Sequence, residues 1–180
     1  MIPGIIAGGM QQGGGIITYW NPLDKHAFIT LSDSDKVAAN TSGIWASVRS
    51  TLARSTGKYY VEVVYVSGLD WAVVLGIANA SANLSQYIGE NTNSWGLQCN
   101  QGAVSALYHS GAIIGNTNII NAGDFVRMAI DITLGRLWIG SSANWVGGGN
   151  PSTNTSPSVT FTPGMSTYIG AGLYLSLIHI

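Results

Sequence analysis

Eight carboxylates, three histidines and one cysteine are the residues of this 180-residue chain that could carry acid–base, nucleophilic or metal chemistry. The carboxylates are Asp24, Asp33, Asp35, Glu62, Asp70, Glu90, Asp124 and Asp131. Hydrolysis of a glycosidic bond needs two of them facing each other across a sugar. On a strand that means a same-face pair at i, i+2 or i, i+4. Asp33 and Asp35 have the spacing, but they lie in Ser32-Asp33-Ser34-Asp35, where short polar side chains cap the backbone of a turn. No strand-like segment carries such a pair, so no catalytic residue is assigned. Asp33, Asp35 and Asn40 offer oxygen ligands of the kind calcium takes, yet the segment does not follow the EF-hand pattern, and no metal site is assigned. His26 and His109 have no cysteine or second histidine at zinc-ligand spacing. Cys99 has no base near it in sequence and reads as a small buried hydrophobe. No glycine-rich stretch opens into a helix, so a phosphate cradle is absent and no cofactor is expected. The chain reads as non-enzymatic.

What remains is aromatic. Six tryptophans and eight tyrosines accompany seven basic and eight acidic residues. Trp71, Trp95 and Trp138 fall within strand-like runs and are expected in the core. Tyr87, Tyr108 and Trp145 lie in or beside turn-rich segments, where an exposed ring can anchor a protein or stack on a sugar. These three are the candidate ligand-binding residues, and the expected ligand is a protein or a glycan. Charged residues make up only 8% of the chain, against roughly 25% in soluble domains, so the surface is covered by neutral polar residues. The net charge is −1 and there is no basic stripe, which argues against nucleic acid as a partner. No apolar run approaches the roughly 20 residues of a membrane helix, so no membrane insertion is expected. The segment Met1 to Ala7 has no basic start and is broken by Pro3 and Gly4, unlike a signal peptide. Folding in a cytoplasm is expected. A single cysteine excludes an intrachain disulfide.

The elements that must position these rings are strands. From Gly123 to Gly140, Val126, Met128, Ile130 and Ile132 form one apolar face and Phe125, Arg127, Ala129 and Asp131 a mixed one. Leu134-Gly135 turns the chain, and Arg136 to Ile139 runs back. Keeping the apolar set on one side pairs Ile132 with Leu137 and Ile130 with Ile139, with Trp138 opposite Asp131. Lys58 to Val66 is apolar on both faces, which suits a central strand covered on both sides. In Trp71 to Ala78 large residues alternate with small ones, so another layer should lie close over the small face. Further short strands are read at Ile16 to Trp20, Phe28 to Ser32, Ile44 to Leu52, Trp95 to Asn100, Ala103 to Tyr108, Ala112 to Gly115 and Ser166 to Tyr174. Asn21 to Asp24 is read as a turn. Many short strands without helical periodicity predict an all-β, two-sheet antiparallel sandwich. Residues 1–15 read as a flexible glycine-rich leader, residues 16–174 as the sandwich domain. Leu175 to Ile180 matches one reading frame of a transposon-end sequencing adapter and is set apart as a tail expected to bury little, the alternative being a genuine apolar final strand.

Four segments, in order, also resemble the SPRY family. They are Gly57-Lys58-Tyr59-Tyr60-Val61-Glu62-Val63, Val74-Leu75-Gly76-Ile77-Ala78, Ser94-Trp95-Gly96-Leu97 and the Gly123 to Gly140 hairpin. The resemblance spans Trp20 to Tyr174. It implies a concanavalin-like jelly roll that binds partners through loops at one end. The lone neutral domain behind a short leader looks more like the SPRY-type domains of bacteriophage structural proteins. That likeness implies a tail or virion-associated module, bound to other virion proteins and recognising a host-surface protein or glycan. The alternatives are an intracellular protein-interaction domain and a glycan-active enzyme of the same fold.

Overall fold

The structure is a computed structural model that describes residues 18–180; the leader expected over residues 1–15, and the start of the strand read at Ile16, lie outside the described residues. The first half of the described chain forms β1 (Trp20–Lys25), β2 (Ile29–Ser32), β3 (Val37–Asn40), β4 (Ala46–Ser50), β5 (Lys58–Gly68), β6 (Val73–Ala78) and β7 (Ser94–Cys99). The second half forms β8 (Ser105–His109), β9 (Ala112–Thr117), β10 (Phe125–Asp131), β11 (Arg136–Gly140), β12 (Val159–Thr160), β13 (Tyr168–Leu173) and β14 (Ser176–His179), with one short 3-10 turn at Val146–Gly148. They make two seven-stranded sheets, ordered β1-β4-β13-β6-β7-β8-β9 and β12-β11-β10-β5-β14-β3-β2. All pairings are antiparallel. The expected two-sheet sandwich is therefore what forms. Among the described residues no helix is long and apolar enough to cross a membrane.

The core lies between the sheets. Leu75 and Ile77 of β6, Leu97 of β7 and Leu107 of β8 face Val63 of β5, Val126 and Met128 of β10 and Ile139 of β11, all without solvent contact. Period-two alternation on each strand puts these apolar residues on one side. The central hairpin keeps its expected faces but not its register. Ile130 pairs with Leu137 and Met128 with Ile139, and Trp138 lies opposite Ala129 rather than Asp131. The turn is longer than Leu134-Gly135. It spans Ile132 to Gly135, closed by Gly135 N–H donating to the Ile132 carbonyl at 3.2 Å and by Leu134 N–H donating to the Asp131 carboxylate at 3.0 Å. A slip of two residues preserves every side chain's face, which is why the apolar pattern alone could not detect it. Trp138 is buried although it sits on the mixed face, because the 141–158 loop covers it and its indole N–H donates to the Thr155 carbonyl at 2.8 Å.

Three other expectations change. β1 begins at Trp20, and the Asn21 to Asp24 segment read as a turn is part of it. Pro22 is tolerated there because β1 is an edge strand. β5 is central in its sheet, but only Val61, Val63 and Tyr65 are buried; Tyr60, Glu62 and Val64 face a half-open outer surface. The segment set apart as an adapter-derived tail contains β14, which hydrogen-bonds on both sides, to β3 and to β5. Ser176 and Ile178 point inward, and Ile178 is fully buried. Backbone pairing with β3 and β5 makes it a strand whatever its origin. The small face of β6, in contrast, is covered closely as expected. Val74 and Ala78 pack under Ala82 and Ile88 of the 79–93 loop.

Ile130→Ala removes a side chain from this core and should cost about 2–5 kcal/mol in denaturant unfolding; a loss under about 1 kcal/mol would mean the inward face is misassigned. Deleting residues 175–180 should lower the melting temperature sharply, because β3 and β5 lose their shared partner; unchanged melting would show that β14 contributes nothing. Cys99 is fully buried, and burial pushes its thiol well above the ordinary range. A thiol reagent should therefore label it only at the rate of unfolding, and rapid native-state labelling would contradict its place in the core.

Candidate functional site

Of the three aromatic residues singled out in the sequence, the structure brings two together. Tyr87, on the 79–93 loop, meets Tyr108 of β8 edge to face, with ring centroids 5.8 Å apart. Trp145 belongs to the other sheet, where its ring lies 4.2 Å under the guanidinium of Arg127 on β10. It is not part of the same surface. Three rings that the sequence reading did not select extend the Tyr87–Tyr108 pair into a row. Tyr87 contacts Trp45 at 5.2 Å, Trp45 contacts Tyr174 at 5.8 Å, and Tyr174 contacts Trp71 at 5.1 Å.

Strand topology explains the row. β13 pairs with β4 on one side and β6 on the other, with Leu173 opposite both Ala46 and Val73. The residues beyond that point, Trp45 before β4, Tyr174 after β13 and Trp71 shortly before β6, therefore emerge side by side at one end of the first sheet. Tyr174 N–H donates to the Ala72 carbonyl at 2.8 Å, extending the ladder into the turns. Tyr87 is carried there by the covering loop, whose Leu84 carbonyl accepts from Ser47 N–H at 2.8 Å. Burial raises the Tyr87 phenol above its ordinary range, with the nearby Glu90 adding to the effect, so it remains a neutral hydroxyl.

The turns under the row are held by side-chain hydrogen bonds. Asn40, almost fully buried, donates to the carbonyls of Ile44 at 2.8 Å and Leu173 at 2.7 Å and accepts from Ser42 N–H at 2.8 Å. Tyr65 hydroxyl donates to the Leu69 carbonyl at 3.1 Å, and Gln98 donates to the Trp71 carbonyl at 3.1 Å. The Gln101 amide bridges the Tyr65 hydroxyl at 2.7 Å and the Gly68 carbonyl at 3.0 Å. Ser176 donates to the Ala72 carbonyl at 3.0 Å. Within this frame Trp71 has φ of 63°, a left-handed conformation that a bulky residue adopts only when its surroundings impose it. Yet Trp71 is 42% exposed. Its strain is thus not explained by burial of its ring.

Exposed apolar residues collect at the same end. Ile44, Leu69, Val104 and Leu175 all stand out from the turns that join β3 to β4, β5 to β6, β7 to β8 and β13 to β14. Asp70 is the one charged residue in those four turns. Exposed apolar patches on folded proteins are common at contact surfaces.

Most of the groups considered for chemistry are placed in structural roles. Arg49 forms a two-pronged pair with Asp24, at 2.8 and 2.7 Å, and donates to the Asn79 carbonyl, tying β4 to β1 and to the covering loop. Glu62 accepts from the Tyr60 hydroxyl, and Asp124 accepts from Asn121 N–H. Asp33 and Asp35 sit in a turn of positive φ, with Asp33 3.5 Å from His179, while Asn40 serves the β3–β4 loop. His109 stacks on Trp95 at 4.5 Å and its Nδ1 contacts the Ser94 carbonyl at 2.9 Å. His26 accepts from Phe28 N–H at 3.2 Å. Among the described residues no three of the His, Cys, Asp and Glu side chains gather as metal ligands would.

No protein-family model matches the chain, and no curated protein matches it in sequence. Solved structures do. The chain is similar to the SPRY domain of human HERC1, with a TM-score of 0.71 at 12% identity over 89% of this chain and 95% of that one. It is similar to the TRIM65 PSpry domain, with a TM-score of 0.67 at 17% identity over 90% of this chain and 87% of that one. A human SPRY domain is matched with a TM-score of 0.60 at 14% identity over 84% of this chain and 93% of that one. The two-sheet sandwich of this chain is the SPRY-domain fold.

Proposed function

We propose that the chain is a non-enzymatic protein-interaction module that binds an uncharged, apolar-rich segment of a partner protein at the end of the sandwich bearing Trp45, Trp71, Tyr87 and Tyr174. The observation that carries this is Trp71: an exposed tryptophan held in a strained backbone conformation, packed on Tyr174 and Trp45, joined through them to Tyr87 and Tyr108, and fringed by apolar turns. Strain kept at an exposed position indicates that the ring's placement matters more than its burial. Loops on a rigid scaffold are where recognition sits, and the SPRY resemblance implies loop-borne binding at one end. The tail or virion-associated role, with other virion proteins or a host-surface glycan as partner, draws no support from the structures this chain resembles. Protein interaction is the better reading, and it leaves the cellular setting open.

Such a contact rests on aromatic anchors, each able to carry 2 kcal/mol or more, about thirtyfold in affinity. A random-peptide display library selected on the full chain supplies the probe. Selected peptides should bind Trp71→Ala and Tyr87→Ala more than about tenfold more weakly. Trp145→Ala and Leu134→Ala, away from this end, should bind like the parent. Raising salt should change affinity little, because charges are few there, Asp70 in the turns and Glu90 near Tyr87. Normal binding by both end variants, or loss of binding at high salt, would refute the proposal.

A further inference from the structure

Among the described residues the two sheets have four edge strands, β1 and β9 in one and β12 and β2 in the other. An edge offers unpaired backbone groups to any other chain, and folded proteins usually blunt it with proline, charge or shortness. Three of these edges are blunted. β1 contains Pro22, Asp24 and Lys25. β12 is two residues long and lies between Pro157 and Pro163. β2 has four residues, and the Lys25 ammonium occupies its first carbonyl, that of Ile29, at 2.7 Å. β9 has neither proline nor charge nor shortness, and its one protective device is a bulge. It runs for six residues without proline, and no charged residue occurs from Ser110 to Gly123.

β9 carries a bulge. Leu107 pairs with Gly115 and Tyr108 with Ile113, so Ile114 is the extra residue. The bulge leaves Ile113 and Ile114 both exposed, at 57% and 47%, where strict alternation would turn one of them inward. A bulge also twists an edge, which limits the ladder another strand can form to a short one. The two isoleucines supply the apolar contact that a short ladder lacks.

We propose that β9 is a dimerisation edge, at which a second copy of this chain adds its own β9 antiparallel and joins the two first sheets across a two-fold axis. In an isologous antiparallel pair residue i meets residue j and j meets i, and only a residue on the two-fold axis meets its own copy; a strand without charge brings no like charges together at any register. β9 has no charge to repel its copy. It also has none with which to select a foreign strand, as heterologous partners commonly do. The chain as a whole carries a net charge of only −1, so long-range repulsion between copies is negligible.

Sedimentation of the full chain over a concentration series tests this. The parent should dimerise in the micromolar range, and Ile113→Lys or Ile114→Lys should raise the dissociation constant at least about tenfold. Because both side chains are exposed, the lysine variants should keep a cooperative melt, which separates loss of pairing from loss of folding. Trp71→Ala, at the other surface, should dimerise like the parent. A parent that stays monomeric at concentrations on the order of 100 µM overturns the proposal, as does a dimer insensitive to both lysines or one lost only in Trp71→Ala. A monomeric parent whose β9 amides gain exchange protection only with a display-selected peptide assigns the edge to a foreign strand and also overturns it.

Discussion

The close approach of the 79–93 loop to the first sheet is the constraint on which the candidate site depends. The Ile88 carbonyl lies 2.1 Å from where a Cβ on Gly96 would stand, and the Tyr87 Cα lies 2.9 Å from where one on Gly172 would stand. Any side chain at either position would lift the loop. The glycines therefore do more than permit a turn: they let a backbone lie on a sheet face as another layer would. Ile88 then fills the second small core with Val74, Ala78 and Ala82. Tyr87, its neighbour in sequence, is left on the rim against Trp45. The Arg49–Asp24 pair, anchored on the Asn79 carbonyl, holds the start of the same loop to β4 and β1. The covering layer and the aromatic row are one construction.

Trp71 shows how that construction is balanced. A non-glycine residue in the left-handed region costs of order 1–3 kcal/mol, and the exposed ring recovers only part of this by packing on Tyr174 and Trp45. The remainder is met by the turn's hydrogen bonds, from Tyr65, Gln98, Gln101 and Ser176, each worth roughly 1 kcal/mol. Two of these donors come from β5 and β14 in the opposite sheet or from its boundary with the turn. The conformation of Trp71 thus depends on the two sheets being seated correctly against each other. A ring fixed in this way loses little rotational freedom on binding.

Much of the fold was legible because strands announce themselves by alternation. The inward set Val126, Met128 and Ile130 and the small face of β6 follow from a period of two, and the short strands read between Trp95 and Gly115 from the glycine turns that join them. Register was not legible, because a two-residue slip leaves the same residues facing inward; the length of the Ile132 to Gly135 turn decided it. β14 was discounted by the origin suggested by its sequence, and its Ser-Leu-Ile-His run, with Ser176 inward and Leu177 outward, has no clean alternation to mark a strand. The site was half legible. Tyr87 and Tyr108 were chosen for lying in or near loops, which is a local signal. Trp45, Trp71 and Tyr174 sit at strand ends that only the non-local pairing of β13 brings together. Aromatic residues at the ends of several predicted strands would have been the available hint. Trp145 carried the same local signal as Tyr87 but belongs to the other sheet, because the 141–158 loop folds over β10 and β11.

The sparse charge of the chain ties these features together. Asp24 is used by Arg49, Asp131 by Lys58 and the hairpin turn, and Arg127 lies over Trp145. Charges that hold the fold together are not available for recognition. Surfaces without charge must discriminate by shape and by apolar burial, and such discrimination requires a rigid surface, because a mobile one would fit many partners equally. Rigidity is what the buried Asn40, the Tyr65–Gln101 bridge and the close-lying loop provide at the aromatic end. At β9 the same lack of charge has a different consequence. A neutral aromatic end can still choose its partner by the spacing of its rings, whereas a neutral strand edge presents a repeating backbone that any strand can match. On the proposed reading the aromatic end from Trp71 to Tyr108 therefore serves a particular foreign protein, and the β9 edge, which brings no like charges together when it meets itself, serves an identical copy.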